Sequence, residues 1–451
     1  MDLDKFFKAK TVAVIGVSEN PSKVGHVIFR NFIEEGFSGK VYPVNPNLES
    51  ILGYTCYKSV LDIPGEVELG IVAIPAKIIL STIKECGKKG IHDLVIITSG
   101  FDEIGNHSLA ADMKKLLDQY KIRVIGPNCL GVYDAHTKLD SLFLPADRLQ
   151  RPSAGGISFV CQSGAAGSAL LDLAAYENYG FAKFISYGNA VNVNETDIIE
   201  YLGNDPDTKV ICLYVEGVKA GRRFIDVCQK VSLKKPIVAI KGGVSEAGAA
   251  AAMSHTGSLA GSAAVYEGVF KQAGVLQVPF LRDMFSYARI LETSVKPAGK
   301  RIQIITNGGG YGILCTDAIE RYGLEMAHMD AKTQAELKKH FSELVIVNNP
   351  IDLIGDADNE RYRLSITAAL NDKNVDIVLV VLLFQTPLIT SEIVSIVSEL
   401  TERQKKPIVT ISTGGDYTRE LQEKLSRKGV PTFTFPNEAV KAIKALCDYW
   451  L

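Results

Sequence analysis

Gly156-Ile157-Ser158-Phe159-Val160-Cys161-Gln162-Ser163-Gly164 runs from an apolar stretch straight into a glycine turn. A short apolar run that stops at glycine and gives way to a longer amphipathic stretch is the opening of a βα unit. This turn has an echo. Gln162-Ser163-Gly164, Gly167 and Asp172 match Asn307-Gly308-Gly309, Gly312 and Asp317 at one constant offset. Lys234-Lys235-Pro236-Ile237-Val238 reappears as Lys405-Lys406-Pro407-Ile408-Val409, and an apolar strand pattern precedes each, at Val210–Val215 and Val375–Phe384. Unrelated βαβ units would share a lysine-proline before a strand, but the common order favours duplication. Two copies of one flavodoxin-like α/β domain are expected, the second with an insertion because its motifs lie further apart.

Upstream, strand-like runs at Thr11–Ser18, Lys40–Pro46, Glu68–Pro75, Asp93–Gly100 and Ile122–Asn128 alternate with helical patterns. Between the first two, Val24, Val27, Ile28, Phe32 and Ile33 fall on one helical face. Five parallel strands in about 130 residues describe a Rossmann-type domain. Tyr133 to Ala154 is polar and carries Pro145 and Pro152, and so reads as a linker. The expected fold is therefore α/β, with a Rossmann-type domain at 1–132, a linker at 133–155, and flavodoxin-like domains at 156–293 and 300–451.

Composition agrees with that count. At about 150 residues per domain, 451 residues suggest three domains. The 49 basic and 51 acidic side chains leave a net charge of −2, which argues against a nucleic-acid partner. A 47% hydrophobic, 22% charged chain is not disordered. The apolar runs are too short to span a bilayer, and the opening Met1-Asp2-Leu3-Asp4-Lys5 lacks a signal-peptide core. Eight scattered cysteines form no C-x-x-C pair and seven histidines no H-x-x-x-H cluster. A soluble cytoplasmic protein without membrane contact or structural metal is expected.

Four segments carry chemistry. Gly16-Val17-Ser18 to Lys23-Val24-Gly25 follows the first strand and opens a helix, whose free N–H groups and dipole attract phosphate. It is not G-x-G-x-x-G, and the second strand ends Val44-Asn45-Pro46 without the acid that holds a dinucleotide's ribose. A phosphorylated nucleotide ligand other than NAD fits, although an ordinary βα turn would look the same. Gly126-Pro127-Asn128-Cys129, Ser99-Gly100 and Ile74-Pro75 end other strands of the block and would face the same sheet edge. Gly242 to Ser262 is almost all small residues, with His255 its only large polar side chain besides Glu246. It reads as a mobile loop carrying a reactive group, against the alternative of a lone surface histidine. Finally, Ser163-Gly164 and Gly308-Gly309-Gly310 each aim a helix start at a sheet edge, where two dipoles would stabilise a phosphoryl group. Close-packed turns are the alternative.

Taken together these motifs resemble one family. Val14-Ile15-Gly16-Val17-Ser18, Tyr42-Pro43-Val44-Asn45-Pro46, Gly126-Pro127-Asn128-Cys129, Cys161-Gln162-Ser163-Gly164 and Tyr214-Val215-Glu216-Gly217 are similar to the α subunits of ADP-forming acetate–CoA ligases, NDP-forming acyl-CoA synthetases related to succinyl-CoA synthetase. Ser254-His255-Thr256-Gly257-Ser258, Thr306-Asn307-Gly308-Gly309-Gly310 and Asn349-Pro350-Ile351-Asp352-Leu353 extend the resemblance over the whole chain. The resemblance implies that the first block binds CoA through Gly16, Ser18, Lys23, Asn45, Ile74, Pro75, Ser99, Gly100 and Asn128. It implies that His255 is phosphorylated in turnover, that Glu216 orients it, and that Ser163, Gly164, Gly309 and Gly310 hold the phosphoryl group. It also implies the reaction acyl-CoA + ADP + phosphate ⇌ carboxylate + CoA + ATP through an acyl phosphate. An imidazole that attacks phosphorus through one nitrogen needs its other N–H held by an acceptor, a role a strand-end carboxylate can fill.

The chain has no P-loop and no segment resembling an ATP-grasp domain. ATP or ADP and Mg²⁺ are therefore expected on a separate ATP-grasp β subunit, in an α2β2 heterotetramer. Two other readings stay open: the α subunit of a succinyl- or malate-CoA ligase, against which the third block argues, and a CoA-binding regulatory or scaffold protein without turnover. Gly188-Asn189-Ala190, ending a strand near the expected acyl site, hints at a small acyl pocket.

Overall fold

The computed structural model describes residues 2–248, 263–403 and 405–451. These form two compact units, divided after Pro279.

The first unit holds two sheets. β1 (Thr11–Ile15), β2 (Lys40–Val44), a small hairpin of β3 (Ser50–Ile51) and β4 (Tyr54–Thr55), β5 (Leu69–Val72), β6 (Asp93–Ile96) and β7 (Arg123–Ile125) follow in order. Outside the hairpin, these strands make a parallel sheet in the order β2-β1-β5-β6-β7. All five strands expected for the first block are present. Helices cover both faces, so β5 and β6 are buried along their whole length and apolar apart from Asp93, which pairs with Arg123.

The second sheet is built from β8 (Gly131–Asp134), β9 (Leu139–Asp140), β10 (Ala154–Cys161), β11 (Phe181–Ser186), β12 (Val210–Val215), β13 (Ile237–Lys241) and β14 (Leu276–Gln277), in the order β14-β13-β12-β10-β11-β8-β9. Its five parallel strands show the 2-1-3-4-5 succession of flavodoxin-like sheets. The two outer strands correct the expectation of a linker at 133–155: β8 pairs antiparallel with β11, and β9 with β8. Their polar residues are matched by buried cations. The Lys183 ammonium, fully buried, lies 2.8 Å from Asp205, 3.2 Å from Asp134 and 3.7 Å from Asp207. Arg151 lies 2.7 Å from Asp140. Leu3, Phe6 and Phe7 are buried nearby, and Asp4 accepts a hydrogen bond from the Tyr201 hydroxyl at 2.9 Å, so the N-terminal segment packs onto the second sheet.

The second unit contains β15 (Arg301–Thr306), β16 (Glu325–Met326), β17 (Ile351–Asp352), β18 (Ile377–Val381), β19 (Ile408–Ile411) and β20 (Thr432–Phe433). The order β16-β15-β18-β19-β20 repeats the 2-1-3-4-5 succession, as the echo predicted. The insertion expected in this copy includes helix Ala331–Lys338 and β17, which also pairs with β15. Helix Leu281–Thr293, placed at the end of block two by the sequence reading, packs within this unit instead. Asp283 and Ser286 meet Lys441 and Glu438 of helix Pro436–Trp450, at 2.7 and 2.8 Å. No helix among the described residues is long and apolar enough to cross a membrane.

Candidate functional site

The C-terminal ends of β1, β2, β5, β6 and β7 form one rim. After β1 the chain turns at Gly16, whose φ of +97° is a conformation only glycine takes easily. A Cβ on Gly16 would stand 2.3 Å from the Ala73 carbonyl oxygen, and one on Gly25 2.0 Å from that of Gly16. Helix Val24–Glu34 therefore starts hard against the turn, and no side chain caps it. Its first N–H groups and the exposed Lys23 face the rim. His26 Nδ1 lies 2.7 Å from the Ser18 carbonyl oxygen and steadies the same turn.

Neighbouring loops are tied together by short side chains. Asn45 donates to the Val17 carbonyl at 2.6 Å and accepts from Asn47 N at 2.9 Å. Its amide is thus spent on shaping the loop. The Thr98 hydroxyl donates to Ile74 O at 2.7 Å, holding Ile74-Pro75 beside Ser99-Gly100. Asn128 sits at φ 56° and donates to Asn189 Oδ1 at 3.2 Å, reaching the second sheet. Asn189 in turn donates to Glu103 Oε2 at 2.6 Å. Burial raises the Glu103 carboxyl, but bonds from the Gly100 N–H and the Asn189 amide outweigh it and hold the group below the usual range.

The facing rim comes from β10, β11 and β12. Helix Gly164–Tyr176 is capped by the Ser163 hydroxyl, which accepts from Ala166 N at 3.3 Å. Beside it, Gln162 Oε1 accepts from the backbone N–H groups of Glu216 at 2.8 Å and Gly217 at 3.3 Å. Glu216 directly follows β12 and is 8% exposed, with Tyr214 Oη 3.5 Å from its Oε1. Its Oε2 has no hydrogen-bond partner among the described residues. Lys241, at the end of β13, lies with its ammonium 4.7 Å from the Tyr266 ring centre. Burial lowers its pKa, and the Glu216 charge opposes that shift. Burial also pushes the Cys129 and Cys161 thiols up to about 12, which makes both poor nucleophiles.

The two rims enclose a crevice of about 1670 Å³. Gly16, Ser18, Lys23, Asn45, Ile74 and Pro75 line it. So do Ser99, Gly100, Asn128, Ser163, Gly164 and Glu216. All nine positions singled out in the first block therefore meet three from the second. Among the charged lining residues, Lys23 and Lys219 are the cations and Asp102, Glu103 and Glu216 the acids. His255 lies outside the described residues. Gly309 and Gly310 open helix Gly309–Arg321 in the second unit, where a Cβ on Gly309 would meet Asp352 Oδ2 at 2.7 Å. Sequence reasoning missed Glu103, Lys219 and Tyr266 as lining residues, because nothing local marks a side chain whose partners come from other strands. For Gln162, the echo with Asn307 was the available signal.

Comparison with known proteins bears on this arrangement. A CoA binding domain matches residues 10–135, a succinyl-CoA ligase like flavodoxin domain residues 154–291, and a Ligase-CoA domain residues 302–450. Acetate–CoA ligase [ADP-forming] II subunit alpha of Pyrococcus furiosus is 40% identical over 98% of this chain and 97% of its own. The chain belongs to the ADP-forming acetate–CoA ligase family. That family is one of acid–thiol ligases. The I subunit alpha of the same organism is 39% identical over 99% of this chain and 97% of its own. Acetate–CoA ligase [ADP-forming] of Methanocaldococcus jannaschii is 39% identical over 98% of this chain, which spans 62% of that protein. Among solved structures, the dinucleotide forming acetyl-coenzyme A synthetase 1 of Ca. Korarchaeum cryptofilum, in complex with phosphate and ADP, superposes with a TM-score of 0.92. It is 37% identical over 99% of this chain and 97% of its own.

Proposed function

We propose that this chain is the CoA-binding and phosphoryl-relay subunit of an ADP-forming acyl-CoA synthetase. The reaction is acyl-CoA + ADP + phosphate ⇌ carboxylate + CoA + ATP. The observation that carries the reading is the crevice, where a helix start with a lysine, a second helix start and a buried carboxylate oxygen with no described partner converge. The residues fit CoA: the Gly16 turn and the start of helix Val24–Glu34 suit its phosphates, and the volume suits a ligand of that length.

In the direction of ATP synthesis a phosphate oxygen attacks the thioester carbonyl. The C–S bond breaks and CoA leaves as thiol, giving an acyl phosphate. An imidazole nitrogen of His255 then attacks phosphorus, and the carboxylate departs as the P–O bond breaks. ADP takes the phosphoryl group from the N–P bond. Helix Gly164–Tyr176, with Ser163 at its start, would stabilise the charge on the transferring group. Glu216 Oε2 would accept the second N–H of the imidazole, which fixes the tautomer that attacks. Gly309 and Gly310 would supply a second helix start.

Nucleotide and Mg²⁺ are assigned to an ATP-grasp partner subunit in an α2β2 assembly. Relatives named as alpha subunits, and a longer relative of which this chain spans 62%, support that division. The three domains are taken as 1–132, 156–293 and 300–451, with the corrections noted above. The test is protein labelling from γ-³²P-ATP with the partner subunit present. The parent chain should take label and His255→Ala should take none. Equal label on both would show that His255 does not carry the phosphoryl group and overturn the relay reading, and a parent chain without label would leave a CoA-binding protein without turnover.

A further inference from the structure

A buried carboxylate oxygen without a partner is costly to hold unless the working protein supplies one. What holds Glu216 in that state is the turn that carries it. Three successive backbone N–H groups leave this turn, and side chains from two other elements take all three. Glu216 and Gly217 donate to Gln162 Oε1 at 2.8 and 3.3 Å, and Val218 donates to Tyr266 Oη at 3.0 Å. Gln162 Oε1 also receives the Tyr187 hydroxyl at 3.3 Å. Successive N–H groups aimed at one point form a concavity suited to an anion. A neutral amide oxygen fills it here, so the turn is satisfied without placing a second negative charge beneath the Glu216 carboxylate.

The second copy separates scaffold from chemistry. There Asn307, the counterpart of Gln162, accepts from Leu383 N at 3.0 Å and from the Tyr362 hydroxyl at 2.9 Å. The amide support is thus repeated, but the residue it holds is the apolar Leu383. The carboxylate is peculiar to the first copy, where Tyr266 adds a second tie. Tyr266 stands on helix Ala263–Gln272, and its ring packs under the ammonium of Lys241 at the end of β13.

We propose that Gln162 and Tyr266 are positioning residues that hold the Glu216 carboxylate for phosphoryl transfer, an inference that rests on the function proposed above. Tyr266→Phe removes one hydroxyl and keeps the ring over Lys241. Gln162→Leu keeps bulk and removes the acceptor. Each variant, assembled with the nucleotide-binding partner, is assayed for initial labelling rate from γ-³²P-ATP and for KM of ATP. The chain itself is assayed for CoA affinity by calorimetry and for melting temperature.

Tyr266→Phe, which loses one hydrogen bond to the turn, is expected to slow labelling about tenfold, and Gln162→Leu, which leaves three donors without their acceptor, by at least as much. KM for ATP should stay at the parent value, and CoA affinity should fall by much less than the labelling rate, since both residues line the crevice. Labelling at the parent rate in both variants overturns the proposal. Labelling that falls only in step with CoA affinity and melting temperature also overturns it, because that is a general structural role. If Gln162→Leu does not fold, Tyr266→Phe decides. A parent chain that takes no label overturns the proposed function and this inference together, whereas a parent that labels with unaffected variants overturns this inference alone.

Discussion

Gly25→Ala tests whether the crevice depends on the close seating of helix Val24–Glu34. The new Cβ would stand 2.0 Å from the Gly16 carbonyl oxygen, 2.7 Å from its carbon and 3.1 Å from Val17 Cα. All three are backbone atoms, so no rotamer change relieves the clash. The helix start and the Gly16 turn must part by at least about 1 Å to restore ordinary contact. Overpacking of this kind costs about 1–3 kcal/mol. For a unit of this size that lowers the melting temperature by about 2–5 °C.

The same retreat carries the helix N–H groups and Lys23 away from a phosphate bound at the turn. A helix start contributes about 0.3–2 kcal/mol to such an anion, so the CoA dissociation constant should rise by up to about 30-fold. Calorimetry with CoA, and with pantetheine as a comparison lacking phosphate, separates this from a general loosening. Gly221→Ala is the control. It also stands in the first turn of a helix, but its Cβ would meet nothing within 4 Å, so its melting temperature should hold or rise. A Gly25→Ala chain with the parent's melting temperature and CoA affinity would refute the steric reasoning. Equal losses for CoA and pantetheine would refute the assignment of phosphate to this helix start.

Two further outcomes follow from polar networks on the same unit. Lys183→Met leaves Asp134 and Asp205 buried without their cation, at a cost of about 3–5 kcal/mol. In the parent, burial pushes Asp205 up, but Lys183 and Thr208 outweigh it and hold the carboxyl low. That contribution is present at neutral pH and lost as pH falls through the folded pKa. In the variant Thr208 and Lys8 still hold the Asp205 carboxyl down, but the largest lowering contact is gone, so burial counts for more and the stability lost on acidification shrinks: melting temperature should fall less steeply than the parent's as pH drops from neutral. A variant curve parallel to the parent's would count against the buried pairing. Asn189→Ala removes the amide that joins Glu103 to Asn128 across the crevice. Loss of that bridge should cost about 1–2 kcal/mol of stability and weaken CoA binding, read by melting and calorimetry, and an unchanged CoA affinity would show that the bridge does not shape the site.

The parallel strands were legible because their signal is local. β5 and β6 are, apart from Asp93, apolar runs bounded by turn residues, and the duplicated strand–glycine–helix turns of β10 and β15 recur with the same residue types. β8 and β9 were not legible. Asp134 and Asp140 make that stretch look solvated, and their burial is matched by Lys183, brought in from β11, and by Arg151 at the far end of the same stretch. Helix Leu281–Thr293, at the end of block two in sequence, packs in the unit that begins at Phe280, and that too was not legible. Its apolar stripe of Met284, Phe285, Ala288 and Leu291 announces a partner without saying which one, and the partner, helix Pro436–Trp450, lies at the other end of the chain.

The site divides along the same line. Loop residues at strand ends could be placed on one rim from topology alone, and every one chosen in the first block lines the crevice. Their individual roles could not be read that way. Asn45 was chosen as a ligand contact, yet its side chain is spent on Val17 and Asn47, so it acts on a ligand only through the shape of the loop. Gln162 was noticed as part of a repeat and of a family motif, with no role of its own. The repeat shows why such a residue is hard to interpret: Gln162 and Asn307 make equivalent bonds beneath Glu216 and Leu383, and only the first of these supports a titratable group. Repetition in the sequence therefore marks the scaffold. The chemistry is marked where the two copies differ, at Glu216 against Leu383, and at the Tyr266 hydroxyl that ties the first turn a second time.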